Sequence, residues 1–356
     1  MAETIKSLSQ LLRELIDGQS ISSSDPQGVA AQLEAQILQD HTRANAFRIT
    51  AENAKEATLL RTELFQEIYP EFLELCQNEL KITSSVNETL WDLWLPLAIQ
   101  IADWRKSQPN PLILGFLGGQ GTGKTTLTEI LKLILKHLGY HTISFSLDDL
   151  YLTYDDRQRL QAQDPRIIHR GPPGTHDIPL GLQVLTQLKQ GQPTQIPQFD
   201  KSLRQGAGDR IHPKPVSEVD IVLFEGWFVG VHPIHDKTFE TAPDLIVTPS
   251  DRTFARDMND RLHDYLPLWE QLDRLIVLYV PNYRLSKVWR KEAEHKMIAQ
   301  GKSGLSDIEI DAFVKYFWRA LHPKLFIEPL VSQSGFVDLV IEINPDHSPG
   351  AVRRIA

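Results

Sequence analysis

The stretch "GGQGTGKTT", Gly118 to Thr126, follows the apolar run "LILGFL" and precedes the periodic run "LTEILKLILKHLG". Gly118, Gly123, Lys124 and Thr125 satisfy G-x-x-x-x-G-K-[ST], a pattern whose residue types each carry a task. Glycines let successive backbone N–H groups wrap phosphate oxygens, the lysine reaches the β and γ phosphates, and the threonine hydroxyl can face Mg2+. The N-terminus of the helix behind the loop adds a dipole that favours an anion. We therefore expect Gly118, Gly119, Gln120, Gly121, Thr122, Gly123, Lys124, Thr125 and Thr126 to cradle the phosphates of ATP. The context separates the motif from a chance glycine turn: a strand precedes it, and a helix follows with Leu127, Ile130, Leu131, Ile134 and Leu138 on one face and Gly139 at its end.

Outward from the loop, short apolar runs alternate with helical segments. "LILGFL", "HTISFSL", "DIVLFEG", "DLIVT" and "RLIVLYV" read as strands. Continuous apolar strands separated by helices predict a mainly parallel sheet covered by helices on both faces, an α/β P-loop NTPase fold. Residues 1–95 read differently, as a separately packed helical region in which Leu60, Leu64, Ile68, Phe72 and Leu75 share one face. "SISSSDPQG" is a loop within it. The division expected is a helical region over 1–95 and a P-loop domain over 96–356, with an acceptor-binding insertion at about 152–215 and a lid at about 284–322.

Composition narrows the classes. The chain has 356 residues, 41% of them hydrophobic, so it can bury a sizeable core. One cysteine, Cys76, cannot form an internal disulfide, and a cytoplasmic location is expected. No run approaches a membrane span, and "MAETIKSLSQ" has neither the basic-then-apolar order of a secretory signal nor the arginines of a transit peptide. A net charge of −9 argues against a general nucleic-acid surface. Basic residues are focused instead, at Lys201, Arg204, Arg210 and Lys214 and again from Arg284 to Lys296, which suits a small anionic substrate. No membrane or protein partner is evident, and a monomer is expected.

The second strand runs into "SLDDLYL", which puts Asp148 and Asp149 at its carboxyl end, the edge where open α/β sheets place ligands. A carboxylate there can take a proton from an attacking hydroxyl. Glu225 ends the third strand in "VLFEGW", where a buried charge needs a cation, and with Thr125 it is the expected metal shell. The insertion carries many ionisable groups on loops rich in glycine and proline. Arg170, His176, Asp177, Asp200, Lys201, Arg204 and Arg210 are the candidates for binding a polar acceptor.

Six segments occur in order: "GGQGTGKTT", "SLDDLYLT", "RGPPGTHD", "PQFDKSLRQGAGDR", "VLFEGWFVG" and "WRKEAEHKM". Together, over roughly residues 95–345, they resemble the D-glycerate 3-kinases of plants and cyanobacteria, which belong with phosphoribulokinase, uridine kinase and pantothenate kinase. The resemblance implies ATP and Mg2+ as cofactors and D-glycerate as acceptor, phosphorylated at its terminal hydroxyl. In that group the second strand ends in S-x-D-x-[FL]-[YL], matched here by Ser146, Asp148, Leu150 and Tyr151, so the resemblance favours Asp148 over Asp149 as base. It also implies a basic lid residue over the phosphates, matched to Arg290 ahead of Lys291, and a tyrosine where this chain has Phe199. Two alternatives stay open: a kinase of the same group acting on pantothenate, a nucleoside or another small alcohol, and a nucleotide switch without an acceptor.

Overall fold

The computed structural model describes residues 6–18, 28–299, 301, 304–332 and 335–355. Apart from Gly28, the loop "SISSSDPQG" lies outside the described residues. The strands are β1 (Leu112–Gly118), β2 (Thr142–Ser146), β3 (Thr194–Asp200), β4 (Asp209–Val216), β5 (Ile221–Gly226), β6 (Arg274–Tyr279), β7 (Leu339–Ile343) and β8 (Pro349–Arg354). Six form one sheet in the order β2-β5-β1-β6-β7-β8. All neighbours are parallel except the β7–β8 edge pair, and β3 and β4 make a separate antiparallel hairpin.

Strand periodicity sorts the core into two layers. Leu112, Leu114 and Phe116 of β1, with Ile221 and Leu223 of β5, face a cluster that includes Leu127, Ile130, Leu131 and Ile134 of the P-loop helix Lys124–His137. Ile113 and Leu117 of β1, with Val222 and Phe224 of β5, face the opposite cluster, closed by Val184, Leu185 and Leu188 of the helix Ile178–Lys189 and by Tyr265 and Trp269. Each central strand is thus buried on both sides, which is why its sequence is continuously apolar.

Two expected elements are corrected. "DLIVT" is not a strand: Leu245 adopts φ 86°, a left-handed conformation that ends extended backbone, Ile246 is buried, and Val247 is 63% exposed. Thr248 is instead the N-cap of the helix Pro249–Arg261, in a reciprocal capping box with Asp251. On the long helix Ala54–Glu74 the buried face holds Leu64, Phe65, Ile68 and Phe72, while Leu60 is 41% exposed. The apolar stripe is rotated toward Phe65, which packs on Tyr69 and Trp91. The hairpin β3–β4 and the strands β7 and β8 are elements that the sequence reading did not assign.

The N-terminal helices pack on the layer that carries the phosphate loop. Leu11, Leu33, Phe65 and Phe72 belong to the same continuous cluster as the P-loop helix and β1. Charges reinforce the seam: His137 lies between Glu67 and Glu71, with Lys136 on Glu71 at 3.2 Å. The helices form an outer layer against the helix that carries the phosphate loop. Among the described residues no helix is long and apolar enough to cross a membrane.

This shared cluster predicts that Phe65→Ala destabilises the whole chain by about 3–5 kcal/mol, the usual cost of truncating a buried phenylalanine. Chemical denaturation followed by far-UV circular dichroism and by tryptophan fluorescence should give coincident transitions shifted to lower denaturant. An early transition confined to part of the helical signal would show that the outer layer unfolds alone.

Candidate active site

The phosphate loop is built by two left-handed glycines and one that tolerates no side chain. Gly121 and Gly123 sit at φ +80° and +81°, and Gly123 leads directly into the helix at Lys124. A Cβ on Gly118 would lie 2.6 Å from the Thr122 hydroxyl oxygen, and one on Gly121 would lie 2.8 Å from Trp289 Cβ. Trp289 belongs to the helix Leu285–Ala299, stacks near His347, and donates its indole N–H to the Pro345 carbonyl. Nδ1 of His347 lies 3.0 Å from the Gly121 carbonyl oxygen. The loop is therefore braced from outside by the helix Leu285–Ala299 and by the turn after β7.

Lys124 points back into its own loop. Its ammonium donates to the Gly118 and Gly119 carbonyls at 2.8 and 3.1 Å and lies 4.0 Å from Glu225, with only 13% of the side chain exposed. Burial pushes the ammonium below the ordinary lysine range, against the opposing pull of Glu225 and Asp148. Thr125 is exposed in the first helical turn. Thr125 and Glu225 offer hard oxygen donors, and among the described residues no group of three or more His, Cys, Asp or Glu could cage a metal alone. That donor set fits Mg2+, which takes one or two protein oxygens and completes its shell with substrate phosphates and water.

The two aspartates at the end of β2 have opposite environments. They lie in a single 3-10 turn, Leu147–Leu150, capped by Ser146. Asp149 is turned into backbone, accepting from the N–H groups of Ser146 at 3.1 Å and Phe199 at 3.3 Å. Burial, helped by the negative charges of Asp148 and Glu225, pushes its pKa up to about 6. Asp148 faces the site, accepting from the Tyr151 hydroxyl at 2.7 Å and from the Lys201 ammonium at 2.6 Å. Burial alone would raise its pKa, but Lys201 and the two hydrogen bonds hold it below the usual carboxylate range. Geometry and ionisation thus separate the pair: Asp148 faces the site, and Asp149 is held by backbone.

Two distant segments meet behind Asp148. Residues 150–152 run antiparallel to the "RGPPGTHD" loop, with Leu152 N–H on the Thr175 carbonyl, Asp177 N–H on the Leu150 carbonyl, and a bridge between Tyr151 and His176. The Tyr151 ring stacks on the His176 ring at 4.8 Å and meets the Phe199 ring edge-on at 5.1 Å. Phe199 thus serves as packing for the phenol that holds Asp148. His176 is 4% exposed, with Nδ1 2.7 Å from the Tyr265 hydroxyl, and burial pushes its pKa down to about 3. It is a neutral ring plate throughout the physiological range, not a charged ligand for an anion.

The other acceptor candidates divide. Arg210 donates to the Tyr151 carbonyl and pairs with Asp177, which also caps the helix Ile178–Lys189. Arg170 donates to the Gly206 and Ala207 carbonyls and covers one side of Phe199, while Arg157, absent from the sequence candidates, donates to the Ala207 and Gly208 carbonyls and also covers the Phe199 ring. Arg204 pairs with Asp209, and the Asp200 carboxylate accepts from Ser202. Lys201 alone among these cations pairs with Asp148. Arg290 pairs with Glu294 and lies over the Phe313 ring. Trp227, Phe228, Tyr283, Phe317 and Trp318 enclose an apolar chamber against Gly118 to Gln120. Sequence reading missed that chamber because its walls come from four separate segments. Trp227 and Phe228, following Gly226, were the available signal.

The family model for phosphoribulokinase and uridine kinase matches residues 113–280. The chain is 30% identical over 305 residues to the chloroplastic D-glycerate 3-kinase of Arabidopsis thaliana, covering 78% of this chain and 65% of that longer protein. It is 32% identical to the uncharacterized kinase mug58 of Schizosaccharomyces pombe, covering 60% of this chain and 80% of the relative. The solved structure of the D-glycerate 3-kinase from Cryptococcus neoformans superposes with a TM-score of 0.64 at 28% identity, covering 72% of this chain and 99% of the other.

The brace on the loop predicts that Gly121→Ala weakens nucleotide binding by about tenfold or more, since the left-handed φ and the Trp289 contact both oppose a Cβ. Titration with a fluorescent ATP analogue reads this directly. Asp149 yields a pH prediction. Its folded pKa of about 6 exceeds the unfolded value, so the native chain binds more protons between about pH 4 and 6, and stability falls as pH rises through that window. Thermal denaturation without nucleotide or metal should show Asp149→Asn gaining about 1–3 kcal/mol relative to the parent at pH 7 compared with pH 4. An equal difference at both pH values would place an unperturbed carboxylate there.

Proposed function

The chain belongs to the phosphoribulokinase/uridine kinase family, and from that premise we propose that it transfers the γ-phosphoryl group of ATP to the terminal hydroxyl of D-glycerate, giving 3-phosphoglycerate and ADP. The observation that carries this reading is the Asp148 carboxylate, fixed by Tyr151, which acts on the charge of Lys124 in the phosphate loop and pairs with a cation from the β3–β4 hairpin. A base beside a phosphate cradle suits transfer to a hydroxyl, and a basic hairpin suits an acceptor bearing its own negative charge. The choice of glycerate within that class is supported by the resemblance to D-glycerate 3-kinases.

In this mechanism the backbone N–H groups of the phosphate loop hold the polyphosphate. Lys124 exchanges its two peptide carbonyls for phosphate oxygens and carries part of the charge on the transferring group. Thr125 and Glu225 would hold Mg2+, which would supply positive charge against the polyphosphate. Asp148 orients the acceptor hydroxyl and takes its proton as the oxygen attacks phosphorus in line. Arg290, one residue from Trp289, adds positive charge over the phosphates on leaving Glu294.

Asp148→Asn should leave ATP binding intact and lower turnover by roughly 100-fold or more, the scale of a positioned base, whereas Asp149→Asn should cost less. Initial rates beside nucleotide titration test this, and the reverse ranking would transfer the role to Asp149. Coupled ADP release with D-glycerate, pantothenate and uridine, with phosphorus NMR of the product, tests the acceptor. A 2-phosphate product would overturn the regiochemistry, and faster turnover of either competitor would overturn the substrate.

A further inference from the structure

Both oxygens of Asp148 are occupied in this structure, and the two partners differ in kind. Tyr151 is 5% exposed, packed between His176 and Phe199, with its carbonyl held by Arg210. Its hydroxyl cannot leave Oδ1 unless several contacts break together. Lys201 has 58% of its side chain exposed and reaches Oδ2 from the tip of the hairpin, followed at Arg204 and Gln205 by two left-handed residues. A long aliphatic stem in solvent can swing away at little cost. The neighbouring cations are engaged elsewhere: Arg210 with Asp177, Arg204 with Asp209, and Arg170 with backbone carbonyls.

We propose that Lys201 is an acceptor-released cap on the base: its ammonium masks Asp148 Oδ2 in the empty site, and the carboxylate of an anionic acceptor draws it off. The inference rests on the reading of Asp148 as the base toward a small anionic alcohol. Lys201 exchanges one carboxylate for another, so its charge is paired in both states. The freed Oδ2 then accepts the hydroxyl proton while the acceptor oxygen bonds to the γ phosphorus and the bond to the bridging oxygen of ADP breaks. Water carries no charge with which to displace the ammonium, so it meets a masked base. Anionic acceptors are thus selected by their ability to unmask the catalytic carboxylate, and ATP hydrolysis without acceptor is suppressed by the same contact.

The test uses the full chain and Lys201→Met, which keeps an apolar stem and removes the charge. ADP release is measured with ATP alone, with D-glycerate and with glycerol, an uncharged alcohol of the same length. The cap predicts that the variant hydrolyses ATP without acceptor several-fold faster than the parent. It also predicts a KM for D-glycerate raised roughly 10- to 100-fold, the scale of one charge-assisted hydrogen bond, with a smaller loss in kcat. The preference for D-glycerate over glycerol in kcat/KM should narrow by a similar factor. Lys201→Arg, which restores the charge, should bring acceptor-free hydrolysis down again. Unchanged or slower hydrolysis without acceptor, with an equal loss toward both alcohols, would overturn the cap and leave Lys201 a simple anchor. The two readings fail separately: if the parent ignores D-glycerate but acceptor-free hydrolysis still rises in Lys201→Met, the cap stands and the substrate falls. If the parent uses D-glycerate and the variant shows no such rise, the substrate stands and the cap falls.

Discussion

The ammonium of Lys124, folded back onto the carbonyls of Gly118 and Gly119, is the constraint on which the rest of the site depends. A charge so nearly removed from water must be met by dipoles or by anions, and burial already weakens its hold on the proton. The fold supplies both. Glu225 closes one side from the end of β5, Asp148 acts from the end of β2, and the loop peptides complete the shell. These groups come from strands adjacent in space, β2, β5 and β1, so the parallel order of the sheet gathers them at one edge.

The same economy of contact explains why Asp148 and Asp149, adjacent in sequence, behave so differently. Asp149 is spent on two backbone N–H groups, one from its own turn and one from Phe199 on β3, so it ties the hairpin to the end of β2. Asp148 is left facing the site, with a buried phenol on one oxygen. The phenol is fixed by the neutral His176 plate and by Phe199, and Phe199 is itself covered by Arg157 and Arg170. Much of the basic character of the insertion is therefore used to build the wall behind Asp148. Counting cations in these loops overstates how many are free to meet an acceptor.

The sequence was most legible where chemistry and periodicity coincide. Glycines at left-handed positions, a lysine at the head of an amphipathic helix, and strands buried on both faces leave marks that survive without coordinates, and β1, β2, β5 and β6 were readable for that reason. The hairpin β3–β4 was not, because its outer strand is largely exposed and charged and carries no alternation. "DLIVT" misled in the opposite sense, since an apolar run can serve a helix entry as well as a strand once one residue turns left-handed. Site residues were legible by type and not by partner. Nothing local in the sequence says that Lys201 pairs with Asp148 across 53 positions, or that Arg210 belongs to Asp177.

The N-terminal helices bear on the site through the same physics. Their apolar face completes the cluster that holds the P-loop helix, and Glu67 and Glu71 meet Lys136 and His137 in the last turn of that helix. A cation at a helix C-terminus, here Lys136, complements the dipole, and placing a carboxylate against it fixes the far end of the helix whose near end aims N–H groups at the phosphates. The helix is thereby held at both ends: by the outer layer at His137, and by Trp289 and His347 around Gly121. A phosphate cradle works through dipoles that are oriented before charge develops, and a rigid helix between two anchors meets that requirement better than a loop that orders only on binding. The outer helical layer thus stiffens the element from which Lys124 and Thr125 project.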